Sequence, residues 1–188
     1  MAEASLKELR VAVLLSDDFE QAELEKPCKA LDDAGAKTTI IAPKAGVVQA
    51  MKHDEKTHKI SVDMTLNQAK TEDFDAVLLP GGALNADFLR MEPKAQEFVQ
   101  SFDRAKKPIA FICHALWLLI SAGLVKGRTL SGYHTIQDDI RNAGGKWKDE
   151  EVVRDGNWVS SRQPDDIPAF NREMIALFAE RRASAKKA

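Results

Sequence analysis

Cysteine is scarce in this chain, which has only Cys28 and Cys113 among 188 residues. Two thiols so far apart make no disulfide framework and no short-spaced zinc knuckle, and they fit a reducing compartment; each has to be judged by its own surroundings. Histidine is also scarce, and His53 and His58 lack a convincing third ligand, so no metal site is expected. Charge of one sign is missing as well. Lysine plus arginine number 27 against 29 acids, a formal net charge of −2, which leaves no field to hold nucleic acid or an anionic membrane. No apolar run is long enough to span a bilayer. The opening "MAEASLKELR" carries acids and no apolar core, so no secretory leader is expected and the cytoplasm is the expected location. Neither G-x-G-x-x-G nor a glycine loop followed by Lys-Ser or Lys-Thr occurs. No nucleotide and no other cofactor is expected.

What is present is a 44% hydrophobic chain, enough for a full core, in a recurring order of strand then helix. "LRVAVLLS" reads as a buried strand, "DDFEQ" as a loop, and Leu24, Cys28 and Leu31 as a helical stripe closed by Gly35. Pro27 has no N–H to give the Glu23 carbonyl, so this helix is expected to be distorted or to begin irregularly. "KTTIIAP" is a second strand, and "GVVQAM" and "HKISVDM" suggest a short hairpin or edge strands. "FDAVLLPGG" is a strand entering a Gly-Gly loop, followed by a helix from about Pro93 to Lys106, the strand "PIAFIC" and the helix "HALWLLISAG". Beyond the strand "RTLSG", Thr135 can cap a helix that has Asp138 in its first turn. "KWKDEEVVRDGNWVSSR" reads as an antiparallel hairpin arm turning at Asp155-Gly156-Asn157, and "IPAFNREMIALFAERR" as a closing amphipathic helix. No repeat or linker divides residues 1–188, so one domain is expected, with about 183–188 as a frayed polar tail. Such alternation predicts an α/β fold with a mostly parallel sheet, helices on both faces, and ligands at the strands' C-terminal ends.

Cys113 falls at one of those ends, where a helix begins, and partial positive charge there would lower the thiol's pKa. His114 offers a backbone N–H and, if its ring turns toward the sulfur, a base; neighbouring side chains usually diverge. A buried core cysteine beside a satisfied histidine is the competing reading. Glu20 and Glu23, three apart, are expected on one helical face at the first strand's end, on the same sheet edge. A carboxyl facing a thiolate must keep its proton and donate it as a hydrogen bond, so the two groups should titrate together; a solvated acidic first turn is the alternative. Gly81 and Gly82 let backbone approach a ligand closely and offer N–H groups as an oxyanion site. Cys28 reads as core, Arg162 as a brace for the C-terminal loop, and His134 as either pocket wall or solvated.

Together, "DDFEQAELEKP", "FDAVLLPGG", "AFICHALWLLISAGLVKGRTLSGYHTIQDDIRNAGGKW" and "VVRDGNWVSSRQPDDIPAF" resemble the PfpI branch of the DJ-one superfamily, over nearly the whole chain. The resemblance implies a flavodoxin-like three-layer sandwich of the class I glutamine amidotransferase-like type, with a small antiparallel arm and a cysteine in a strained elbow. It also implies a homodimer able to assemble further into a hexamer, with the site near the subunit interface. By the same resemblance Cys113 is the nucleophile, His114 its following histidine and Glu23 the glutamate that hydrogen-bonds the thiol, with Glu20 the acidic position before it. Gly82 and the His114 N–H match the oxyanion pocket, and Tyr133 a tyrosine beside the thiol. Asp87 matches the acid that a neighbouring subunit supplies to complete a Cys-His-acid triad, as Asp instead of Glu on a loop one residue longer. Cys-His-Ala-Leu-Trp replaces the common Cys-His-Gly-Pro, so Trp117 is expected to narrow the pocket.

Three activities fit such a constellation. A thiolate adding to an aldehyde makes a glutathione-independent glyoxalase or protein deglycase; acyl transfer on peptides makes a PfpI-type peptidase. The non-enzymatic alternative is a stress protein, chaperone-like or redox-sensing, that acts through oxidation of Cys113.

Overall fold

The computed structural model describes residues 5–185, with side chains as far as Arg181. The elements run β1 (Arg10–Leu14), β2 (Phe19–Glu20), α1 (Gln21–Asp33), β3 (Lys37–Ala42), β4 (Val47–Lys52), β5 (Glu55–Ser61), β6 (Met64–Thr65) and β7 (Ala76–Leu79). They continue α2 (Ala83–Arg90), α3 (Pro93–Arg104), β8 (Ile109–Ile112), α4 (Leu116–Ser121), β9 (Thr129–Leu130), α5 (Gln137–Asn142), β10 (Lys146–Trp147), β11 (Val152–Asp155), β12 (Trp158–Ser161) and α6 (Ile167–Ala185). The central sheet has the order β11-β12-β8-β7-β1-β3-β6 and is parallel except for β11. A second, small sheet, β2-β4-β5, pairs β2 with β4 in parallel and β4 with β5 antiparallel, and β9 pairs with β10.

Parallel strands covered on both faces are near-continuous apolar runs, as β7 and β8 are, and the two-residue period then sorts their side chains between two cores. Ala12 and Leu14 of β1, Val77 and Leu79 of β7, and Ile109 and Phe111 of β8 face one core with Phe98 and Phe102 of α3 and Leu116 and Leu119 of α4. Their neighbours Val11, Val13, Leu78, Ala110 and Ile112 face the other, with Leu24 and Leu31 of α1 and Phe170, Met174 and Phe178 of α6. The flavodoxin-like α/β sandwich expected from the sequence is the fold observed.

Several local expectations need correction. Pro27 lies inside α1, which continues through it, because Glu23, Leu24, Pro27 and Leu31 form its buried stripe and packing outweighs one missing backbone bond. Between β7 and β8 there are two helices instead of one, α2 being capped by Gly82 and α3 starting at Pro93, where the absent N–H costs nothing. Thr135 lies within a 3-10 turn, His134–Ile136, and caps nothing; the N-cap of α5 is Ile136, with no side-chain bond. The β11–β12 hairpin is no separate arm, since β12 joins the central sheet beside β8, pairing Ser161 with Ile112. Of the expected frayed tail, α6 takes in the backbone to Ala185, and residues 186–188 lie outside the described residues.

Candidate active site

Strand β8 ends at Ile112, and the chain turns sharply at Cys113 into a 3-10 turn that leads to α4. Cys113 has φ +62°, a left-handed conformation that a side-chain-bearing residue adopts only under constraint. The turn leaves the thiol 7% exposed at the bottom of a cavity of about 390 Å³. Four other strand ends build the cavity around it. The loop after β7 and the start of α2 give Gly82 and Ala83, β2 and α1 give Glu20 and Glu23, the β4–β5 turn gives His53, and the segment after β12 gives Gln163, Pro164 and Asp165. His114 and Tyr133 complete it.

The imidazole does turn toward the sulfur: Cys113 Sγ and His114 Nδ1 are 3.2 Å apart, the closeness that the divergence of adjacent side chains argued against. Aromatic neighbours hold the ring there, with Tyr133 at 4.7 Å and Trp117 at 5.1 Å between centroids. Burial, and then the nearby His134, hold the His114 pKa below its ordinary value, so near neutral pH the ring is uncharged and able to accept a proton. Trp117 backs this ring and donates Nε1–H to Asp139 at 2.8 Å; it is not part of the cavity wall, so the expected narrowing by Trp117 does not occur.

Glu23 is fully buried in the first turn of α1. One carboxyl oxygen, Oε2, accepts the Gly81 N–H at 2.9 Å, while Oε1 has no partner of good geometry. Desolvation, and then the charge of Glu20, push its pKa up to about 8, so the carboxyl holds its proton at neutral pH. The Gly81 N–H is therefore taken up in orienting Glu23 and is not free for a ligand. Gly81 also has no room for a side chain: a Cβ there would collide with Glu23 Oε2 and lie 2.7 Å from the Cys113 Cβ.

The thiol feels opposed influences. Burial and the negative charge of an ionised Glu23 raise its pKa, and the raising wins, contrary to the lowering expected from a helix start. The N–H groups of His114 and Gly82 both reach the sulfur and oppose that rise. Since Glu23 stays protonated up to about 8, its charge acts on the sulfur only above neutral pH. The arrangement is a buried thiol with a neutral base on one side, a carboxylic acid on the other and two backbone donors. It can lose its proton to His114 and attack an electrophile without exposing an isolated charge.

Glu20 and Glu23 both reach the cavity, though not side by side on one helix face. Glu20 ends β2 and precedes α1, its Oε2 accepting the His53 N–H at 3.0 Å at the cavity's mouth. Asp87 lies elsewhere within the chain, on the outer face of α2, in a groove with Ser16, Asp17, Asp18, Leu84, Phe88 and Met91. Arg162 is the brace expected: it grips Asp166 through Nε and Nη2 at 2.8 and 2.9 Å and Asp149 at 2.6 Å, fixing the turn that carries Asp165. Cys28, in α1, has its pKa pushed up to about 12 by burial and by Asp32, and is a poor nucleophile. Among the described residues no cluster of three metal-ligating side chains exists.

A family model, DJ-1/PfpI family, matches residues 9–177. The chain belongs to the DJ-1/PfpI family. Similar members include YraA of Bacillus subtilis (strain 168), provisionally named a cysteine protease, 42% identical over 89% of this chain and 97% of that protein. General stress protein 18 of the same organism is 41% identical, over 89% of this chain and 96% of its own. Deglycase PfpI of Pyrococcus furiosus is 40% identical over 90% of this chain and 99% of that one. Among solved structures, Drosophila melanogaster DJ-1beta superposes with a TM-score of 0.83 at 26% identity, covering 96% of each chain.

Two parts of this DJ-1/PfpI site lay beyond the sequence reading. Gln163, Pro164 and Asp165 follow a strand's C-terminal end, a signal hidden when β12 is taken for part of an arm. Asn85 is fully buried and clamps the Gly-Gly loop, its Nδ2 donating to the Pro80 and Gly81 carbonyls at 3.0 and 2.9 Å and its Oδ1 accepting the Ser16 N–H at 2.7 Å.

Proposed function

We propose that the protein is a cysteine-dependent enzyme acting on small electrophilic carbonyls, a glutathione-independent glyoxalase or deglycase working in a stress response. At the coarser level, the family and the names of its members support a cysteine-type enzyme or stress protein. The observation that carries the finer reading is the 3.2 Å contact between the Cys113 sulfur and a neutral His114, opposite a protonated Glu23. A bare redox sensor has no use for that imidazole base. With methylglyoxal, the sulfur bonds to the aldehyde carbon as His114 takes the thiol proton, giving a hemithioacetal. Moving the hydrogen from that carbon to the adjacent carbonyl carbon, by way of the base, yields a thioester. Water then cleaves the thioester, releasing lactate and restoring the thiol. The N–H groups of Gly82 and His114 serve the developing charge. A cavity of about 390 Å³ suits such small molecules better than a folded protein, so peptide hydrolysis is the secondary activity.

The chain acts as one domain in the cytoplasm and as a homodimer or a larger assembly of such dimers. The exposed large apolar residues Val47, Leu84, Phe88 and Met91 gather around two adjoining grooves on the face that carries Asp87, a face suited to a second copy whose Asp87 would orient His114. The test is lactate formation from methylglyoxal without glutathione, with peroxide exposure of the same preparation followed by the mass of each cysteine peptide. Lactate is the expected result. No lactate, with Cys113 oxidising far faster than Cys28, would transfer the function to thiol sensing.

A further inference from the structure

The cavity wall is uneven in charge. Its side chains include three carboxyls, Glu20, Glu23 and Asp165, and neither lysine nor arginine; the imidazoles are His53 and His114, the latter held neutral by burial. Glu23 is deep and protonated, but Glu20 and Asp165 stand at the mouth in contact with water. Close by, Arg162 neutralises Asp149 and Asp166, and no cation does the same for the other two acids: among the described residues neither Glu20 nor Asp165 forms an ion pair. Glu20 is held in place by the His53 N–H, and Asp165 by the turn that Arg162 braces through its neighbour Asp166. Two fixed carboxylates therefore flank the entrance to a cavity that has neither lysine nor arginine, a geometry that focuses field toward the thiol.

We propose that Glu20 and Asp165 make the site charge-selective, drawing in electrophiles that carry a positive group near the reactive carbon and turning anionic ones away. The inference rests on Cys113 being the reactive group. It orders electrophiles of one reactivity by charge, cationic ones first, neutral dicarbonyls next, and 2-oxo acids and phosphorylated sugars disfavoured.

The test separates charge selection from catalysis by using thiol reagents matched in size, aminoethyl and sulfonatoethyl methanethiosulfonate. In each, the thiolate sulfur bonds to the sulfenyl sulfur while the bond to the sulfonyl group breaks and methanesulfinate leaves, so no turnover is needed. The ratio of cationic to anionic labelling rates at Cys113, read on its own peptide by mass spectrometry, is divided by the same ratio for 2-mercaptoethanol. Expected is a normalised ratio on the order of tenfold or more at low ionic strength. It should fall toward one in half-molar salt, as screening requires, and should be reduced several-fold by Asp165→Asn and by Glu20→Gln. Because Asp165 is exposed, its substitution leaves the core intact. A normalised ratio near one in the wild type, or one that neither substitution lowers, overturns the proposal. Failure of methylglyoxal turnover would remove the catalytic reading and leave these ratios as they are, so the two failures are distinguishable.

Discussion

Replacing Glu23 with glutamine should flatten the pH dependence of stability, by an amount the structure sets. An unfolded chain ionises this carboxyl at its ordinary 4.5, whereas the folded protein holds the proton to about 8. Across that window the folded state binds more protons at this carboxyl than the unfolded one, so its contribution to stability is fully present below 4.5 and is lost as pH rises toward 8. At about 1.4 kcal/mol for each pH unit, the whole window is worth roughly 5 kcal/mol. Cys113 cannot cancel this, because its own raised pKa acts only above its ordinary 9.0. Glutamine keeps an oxygen for the Gly81 N–H and an N–H₂ for the side of the sulfur, yet has no proton to lose. Urea denaturation of wild type and Glu23→Gln at half-unit intervals from pH 5 to 8 should show the difference between them moving in favour of the variant by about 1 kcal/mol per unit. Parallel stability curves would refute the claim that Glu23 is buried with its proton.

The same substitution should simplify the thiol titration followed by thiolate absorbance: a coupled, broadened curve in the wild type and a single step in Glu23→Gln. Gly81→Ala should destabilise by about 2 kcal/mol or more in chemical denaturation, since its Cβ meets Glu23 Oε2 and the Ile112 carbonyl, at 2.9 Å from the latter. Asn85→Ala removes the side-chain partner of the buried Ser16 N–H and of the Pro80 carbonyl and leaves the Gly81 carbonyl with only the Glu20 N–H, a loss of about 3 kcal/mol by the same measurement, where a value under about 1 would show that the clamp is dispensable. Arg162→Lys breaks the two-pronged grip on Asp166 and loosens the 163–165 wall, so the KM for methylglyoxal should rise more than kcat falls.

The layered fold was legible because β7 and β8 are apolar at every position, β1 at every position after Arg10, and α1 and α3 show buried stripes, and both signals are local. The elbow at Cys113 and the Gly-Gly loop were legible for the same reason: both sit immediately after such strands. What escaped depends on pairing between distant segments. Nothing local in "VVRDGNWVSSR" says that its second strand lies beside β8, and without that neighbour Asp165 has no reason to be in the site. The direction of the Cys113 shift escaped likewise, since a helix start argues for lowering, and only the enclosing walls reveal how far burial opposes it. The proximity of the His114 ring to the sulfur required Tyr133, brought in from a separate turn, to close on the ring beside Trp117 of α4 and fix the rotamer.

The measurement that tests the central claim most directly is lactate formation from methylglyoxal by Cys113→Ser beside the wild type, with Cys28→Ser as the companion. Turnover abolished in Cys113→Ser and retained in Cys28→Ser is the result expected of a single nucleophile at the β8 elbow. Turnover that survives in Cys113→Ser would contradict the mechanism at its first step.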